Sequence, residues 1–328
     1  LYTNPDENSP ILALLPDETP LTLIARSGDR QWIQAETANN RIGWLQIDAL
    51  QSGVEILDLP QHPVFTVPCD MSHLITVPPR TRHIFQAGQQ QGNRPLVFAK
   101  VGDSITVARH FLKPIGEGFY NLRDCIYLQD TISAFSQEHA RTNNSFVNIS
   151  IAANTGWTTP MTLNPVRNEQ ALCHSWESVL DCEYRLLNPS IALIMFGTND
   201  VGAITLPEFR SALRDLIQRT IDRGIIPVVS TIPPRPEFEN LVLRFNDTIR
   251  SLAREYNIPM MDYWQALLQT PTNGLSADAV HPNVPPGGYQ TSADFDSQNL
   301  EYGYVVRNLL TLHMLERLYR EVIVPEIQ

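Results

Sequence analysis

Ser104 follows Gly102-Asp103 at the end of an apolar run, Val97-Phe98-Ala99-Lys100-Val101, and Asp278 stands three residues before His281 in Ser276-Ala277-Asp278-Ala279-Val280-His281. A hydroxyl, an imidazole and a carboxylate are the parts of a nucleophilic relay, in which a base takes the serine proton and a carboxylate fixes the base in one tautomer. An Asp and a His three apart can share one side of a turn, which leaves the second ring nitrogen for the hydroxyl. His73 has the same spacing from Asp70, but it falls in a proline-rich stretch and reads as a surface histidine. Each fragment alone is also an ordinary turn or helix cap. It is their order along one chain that points to chemistry.

The elements that must position these groups follow from the hydrophobic pattern. Val97–Gly102 reads as a buried strand whose closing glycine permits a sharp turn, and ligands of open α/β sheets sit at such strand ends. Further strands are expected over 146–151, leading to Gly156 in Asn154-Thr155-Gly156-Trp157, and over 191–196, ending in Gly197-Thr198-Asn199-Asp200. Two more fall at 225–232 and 258–262, and His281 comes after the last of them. Helices are expected near 82–91, from 107 to 112, within 169–184, and over 206–223, 239–256 and 301–321. This alternation predicts a three-layer α/β/α parallel-sheet domain of flavodoxin-like type over 95–325. Asp103 and Asp200 are read as structural, and Trp157 and Trp176 as core residues in preference to lining of an acyl or sugar site.

The chain has 328 residues, 43% hydrophobic and 18% charged, which suits a large domain with a smaller companion. A net charge of -11, with no Lys/Arg cluster, argues against a nucleic-acid partner. No apolar run is long enough for a membrane helix, and the four cysteines show no zinc-ligand spacing, so no membrane span, metal or cofactor is expected. The even count of cysteines suits two disulfides in an exported protein, with Cys173 and Cys182 the local candidate, and equally free thiols in a cytosolic one. Residues 1–10 read as a flexible leader without a signal peptide, in a chain that lacks an initial Met and is expected to be secreted or in the cell envelope.

Residues 11–52 alternate with period two between Gly28-Asp29 and Asn39-Asn40 turns, the pattern of a small antiparallel barrel. Arg26-x-Gly28-x-x-x-Trp32 and Gly43-Trp44-Leu45 resemble bacterial SH3-like domains, which implies a cell-wall or peptide ligand; the two tryptophans also suit a packing core. Residues 53–94 carry five prolines between 60 and 79 and read as a linker, with the short helix at its end.

Over roughly 95–325 the chain resembles the SGNH hydrolase family, the GDSL-type esterases and lipases. Gly102-Asp103-Ser104 matches its first motif, Gly156 the glycine of the second, Gly197-Thr198-Asn199-Asp200 the third, and Asp278-x-x-His281 the last. Ile105 replaces the common Leu, and no Gly-x-Ser-x-Gly elbow is present. The resemblance implies a metal-independent serine esterase with Ser104 as nucleophile, His281 as base and Asp278 as its orienting acid. It places the oxyanion against the backbone N–H groups of Ser104 and Gly156 and the amide of Asn199. Short acyl esters, such as O-acetyl groups on carbohydrates, are the expected substrates, because no long apolar lid segment is evident. Two alternatives stand beside this reading: an acyltransferase, or a wall- or peptide-binding protein with an inert α/β domain.

Overall fold

The computed structural model describes residues 1–2, 11–26, 32–39, 41–50, 70–165 and 172–327. Two compact units, Leu1–Val67 and Pro68–Gln328, divide the chain.

In the first unit, strands β1 (Leu21–Arg26), β2 (Trp32–Thr37) and β3 (Ile42–Gln46) form an antiparallel sheet in the order β1-β2-β3. Trp32 and Trp44 are buried, with the Tyr2 ring edge-on to Trp32 at 5.3 Å. The expected leader does not start free. Tyr2 exchanges backbone hydrogen bonds with Trp44, and Leu1 is buried. Residues 3–10, the Gly28-Asp29 turn and Asn40 lie outside the described residues.

Of the segment expected as a linker, 53–69 lies outside the described residues, and the rest is built into the second unit. Met71, Leu74 and Ile75 are buried, and their burial draws this stretch onto the sheet as an edge strand, β4 (Ile75–Thr76). Helix α1 (Arg80–Gln90) then leads to β5 (Arg94–Gly102). With β6 (Pro189–Met195), β7 (Ile226–Ser230) and β8 (Met260–Met261), the five strands run in the order β4-β8-β7-β6-β5. All pairings are parallel except β4 with β8. β6 and β7 are buried from end to end, as near-continuous apolar strands of a sheet covered on both faces must be.

The crossover segments carry α2 (Ser104–Val107), α3 (Lys113–Gly116), α4 (Gln129–Gln137), α5 (Thr159–Thr162) and α6 (Val179–Leu187). Beyond β6 come α7 (Asp200–Ala203), α8 (Leu206–Asp222), α9 (Glu239–Tyr256), α10 (Tyr263–Leu267) and α11 (Gly303–Leu318). α8 begins with a capping box between Thr205 and Glu208, which satisfies two of its free N–H groups.

Three further expectations need correction. The strand at 146–151 does not form; instead Ala153 makes a single parallel bridge to Gly102. Polar side chains have taken backbone groups a ladder would use: Asn144 Oδ1 accepts from Val147 N–H and Thr142 Oγ1 from Ile149 N–H, while Asn148 Oδ1 accepts from Thr142 N–H and holds the turn before them. The helix expected at 107–112 lies earlier, at Ser104–Val107, because Asp103 caps it by accepting from Ile105 N–H. Among the described residues of 169–184 the helix starts at Val179, where Ser178 accepts from Asp181 N–H.

Candidate active site

The register of β5 against β6 sets Gly102 beside Met195, so the turns carrying Ser104 and Asn199 leave the sheet at one level. On the other side of β5, Gly102 N–H donates to Ala152 O at 3.2 Å and Asn154 N–H to Gly102 O at 3.1 Å, which brings the segment with Gly156 to the same edge. Gly102 is where these chains meet. A β-carbon there would stand 2.3 Å from Thr106 Oγ1 and 2.7 Å from Met195 O, too close for any side chain.

Ser104 Oγ lies 2.9 Å from His281 Nε2, and His281 Nδ1 lies 2.6 Å from Asp278 Oδ2. Asp278 Oδ1 also accepts from Ser276 Oγ, Val280 N–H and His281 N–H at 2.7, 3.0 and 2.9 Å. Burial opposes ionisation of this carboxyl, but the hydrogen bonds from the His281 and Val280 backbone, the His281 ring and Ser276 outweigh it and hold the group well below the usual carboxylate range. An ionised carboxylate can only accept, so Nδ1 carries the imidazole proton and Nε2 is left to accept from Ser104. The row can therefore pass a proton from a serine hydroxyl to a fixed base.

The remaining sequence-predicted residues reach the same edge by different routes. Gly156, exposed and at φ +75°, would meet nothing with an added β-carbon; its glycine serves conformation, not space. Asn199 donates from Nδ2 to Trp157 O at 3.0 Å, which ties the third motif to the second and leaves the amide a further N–H. Trp157 is buried as a core residue, whereas Trp176 is 74% exposed and stacks on His174 with ring centroids 4.7 Å apart. Cys173 and Cys182 form a disulfide, and Cys125 is disulfide-bonded as well. Among the described residues no cluster of His, Cys, Asp or Glu could hold a metal ion, and no helix is long and apolar enough to cross a membrane.

Sequence reasoning missed the groups that hold the 142–154 segment. Lys100 on β5 is buried and donates from Nζ to Phe146 O at 2.7 Å, and Ser150 Oγ donates to Lys100 O. Glu183 on α6, also buried, accepts from Ile151 N–H at 2.9 Å. Burial lowers Lys100 to about 7 and raises Glu183. Their signal was available: a lysine inside an apolar strand and a glutamate on the buried stripe of a helix.

Asp103 and Asp200, the acids beside Ser104 and Asn199, are both fully buried. Asp200 Oδ1 accepts from Thr159 N–H at 2.8 Å. Burial raises both carboxyls, Asp103 to about 6, while the hydrogen bond from Ile105 N–H works against it. The folded chain thus keeps the Asp103 proton up to about pH 6, whereas an unfolded chain releases it near an ordinary aspartate value of about 4. Between those values the unfolded state binds fewer protons, and stability falls as pH rises. Asp103→Asn retains the cap and removes the ionisation, so thermal unfolding at pH 7 should show a gain of about 1 to 3 kcal/mol over the parent and a flatter profile between pH 4 and 6. A parent profile that is already flat there would contradict this.

The model of the GDSL-like lipase/acylhydrolase family matches residues 101–289. A lipase/acylhydrolase from Enterococcus faecalis is 20% identical, with a TM-score of 0.44 over 67% of this chain and 94% of that one. An acetylxylan esterase from Geobacillus stearothermophilus is 18% identical, with a TM-score of 0.43 over 66% and 93%. A GDSL-like lipase from Bacteroides thetaiotaomicron is 14% identical, with a TM-score of 0.40 over 72% and 98%. Comparison with curated proteins returns no match. The family match covers more than half of the chain and spans every turn described above, from the end of β5 to the loop beyond His281. The chain belongs to the GDSL-like lipase/acylhydrolase family and is an ester-hydrolysing serine hydrolase.

Proposed function

We propose that this protein hydrolyses short acyl esters, O-acetyl groups on carbohydrates among them, through Ser104, His281 and Asp278. The observation that carries this reading is the hydrogen-bonded row from Ser104 Oγ through His281 to Asp278, at 2.9 and 2.6 Å. Ser104 Oγ attacks the ester carbonyl as its proton passes to His281 Nε2, and the imidazolium is stabilised by Asp278. The tetrahedral oxyanion is held by the N–H groups of Ser104 and Gly156 and the free N–H of the Asn199 amide. Collapse returns the proton to the leaving alcohol and leaves an acyl-serine. Water, deprotonated by His281, then releases the acid and restores Ser104.

The preference for short acyl groups rests on exposure. The His281 and Asp278 side chains are 39% and 50% exposed, so the base lies at an open surface and not at the bottom of an apolar slot. The three antiparallel N-terminal strands are in keeping with an SH3-like module, and its buried tryptophans support a packing role for them. The disulfides support an oxidising, exported setting. The assembled row speaks against a binding protein with an inert α/β domain.

Hydrolysis of chromogenic acetyl and octanoyl esters, with acetate release from an O-acetylated oligosaccharide in parallel, tests the substrate class. The expected result is a kcat/KM at least about 10-fold higher for acetyl, the size of effect a few methylenes can command, together with released acetate. Preference for octanoyl, or acetyl groups passed to an added alcohol in place of water, would overturn the short-chain hydrolase reading.

A further inference from the structure

Helix α11 carries two polar residues inside an apolar run, Val305-Val306-Arg307-Asn308-Leu309-Leu310. Both are buried, Arg307 at 5% exposure and Asn308 at 0%. The Arg307 guanidinium packs over the Phe111 ring, 3.7 Å from its centroid. One Nη donates to Ile105 O at 2.6 Å and the other to Thr106 Oγ1 at 3.0 Å. A buried cation costs a protein stability unless a carboxylate or good acceptors compensate it. Here, among the described residues, it makes no ion pair with a carboxylate, and Asp103 acts on it only across space. Its hydrogen bonds go to the short helix that starts with Ser104.

That helix needs outside support. Four residues form a single turn, too short to hold itself. Thr106 Oγ1 supplies a fixed point, because it is wedged against the bare Cα of Gly102 at the end of β5 and receives the Arg307 N–H on its other side. Asn308 secures the far end of the same segment: it accepts from Leu112 N–H and donates to His110 O and Ser292 O, each at 2.8 Å.

We infer that Arg307 is a positioning residue, acting through Thr106 Oγ1 and the Ile105 carbonyl to hold α2 so that Ser104 Oγ stays within hydrogen-bond reach of His281 Nε2. The inference rests on the reading of Ser104 as the nucleophile. It differs from a packing role in a measurable way. Replacing the buried polar pair by apolar residues of similar shape is often neutral or favourable for stability, so a packing role predicts little loss of turnover in a folded variant. A positioning role predicts a folded enzyme that is slow at every intact site.

The experiment is acetyl-ester kinetics on the full chain, with functional sites counted by titration with a fluorophosphonate. The variants are Thr106→Val, Thr106→Ser, the double variant Arg307→Met with Thr106→Val, and Ser104→Ala. Thr106→Val should lower kcat per titrated site by about 10-fold to 100-fold, the range for losing a hydrogen bond to a charged group, with KM changed less than about 3-fold. Thr106→Ser, which keeps the hydroxyl, should stay within about 3-fold of the parent, and the double variant should be at least as slow as Thr106→Val. If Thr106→Val and the double variant keep the parent kcat per titrated site, the inference fails while Ser104-dependent turnover stands. Turnover that survives Ser104→Ala removes the nucleophile reading, and the inference with it.

Discussion

Ser104→Ala should reduce kcat/KM for a chromogenic acetyl ester by about 10⁴-fold or more, with an unchanged thermal midpoint. The size follows from the role: without the Oγ nucleophile no acyl-serine forms, and only the oxyanion donors and substrate binding remain, which in comparable sites leave a residual rate far below that of the intact triad. The unchanged stability follows from the local structure. α2 is capped by Asp103 and held by Arg307 through Ile105 and Thr106, and none of these bonds uses Ser104 Oγ. A loss of less than about 10-fold would mean that this hydroxyl does not carry the reaction.

Asp278→Asn should be almost as damaging, with kcat reduced on the order of 10⁴-fold. The carboxylate accepts from Ser276 Oγ, from the Val280 and His281 N–H groups, and from His281 Nδ1. An amide can satisfy the first three through its oxygen. Its NH₂ group then faces Nδ1, which forces the imidazole proton onto Nε2, where it opposes the Ser104 hydroxyl. Asp278→Ala should do more harm to the loop itself, since it also removes the acceptor that holds a turn containing Ala279 at φ +58°, a conformation unfavourable to residues with a β-carbon. Because its hydrogen bonds, working against burial, keep Asp278 well below the usual carboxylate range, its ionisation should leave no mark on the pH–rate profile above pH 4. Steady-state kinetics from pH 4 to 9 on parent and Asp278→Asn check both points. A variant within 10-fold of the parent would contradict the tautomer argument.

The sequence made the residues of the site legible because their neighbours are constrained by backbone geometry. Gly102 ends an apolar strand, and the space it leaves is filled by Thr106 and Met195; a turn of that kind announces itself as a glycine after a hydrophobic run. Asp278 and His281 lie in one turn, so their spacing alone predicts their contact. β6, β7, α8 and α9 are equally plain, since long periodic or fully apolar segments bury a defined face.

What stayed hidden depends on side chains that meet across the fold. The stretch 146–151 alternates like a strand, yet Asn144 and Thr142 capture the Val147 and Ile149 N–H groups, and no periodicity reports such local competition. The proline-rich stretch before α1 reads as linker, although Met71, Leu74 and Ile75 find a buried place at the sheet edge. Trp176, which reads as a core residue, is exposed and stacked on His174. Arg307 sits 203 positions after Ser104 in the numbering, and only the packing of α11 under α2 brings its guanidinium to the turn that carries Ser104.

The most direct test of the central claim is to label the protein with a fluorophosphonate, which forms a stable bond with an activated serine, and to locate the adduct by peptide mass spectrometry. The expected result is one phosphonate per chain, on Ser104, formed in step with loss of acetyl-ester hydrolysis and absent from His281→Ala. A phosphonate on any other serine, or full loss of hydrolysis with Ser104 unmodified, would contradict it.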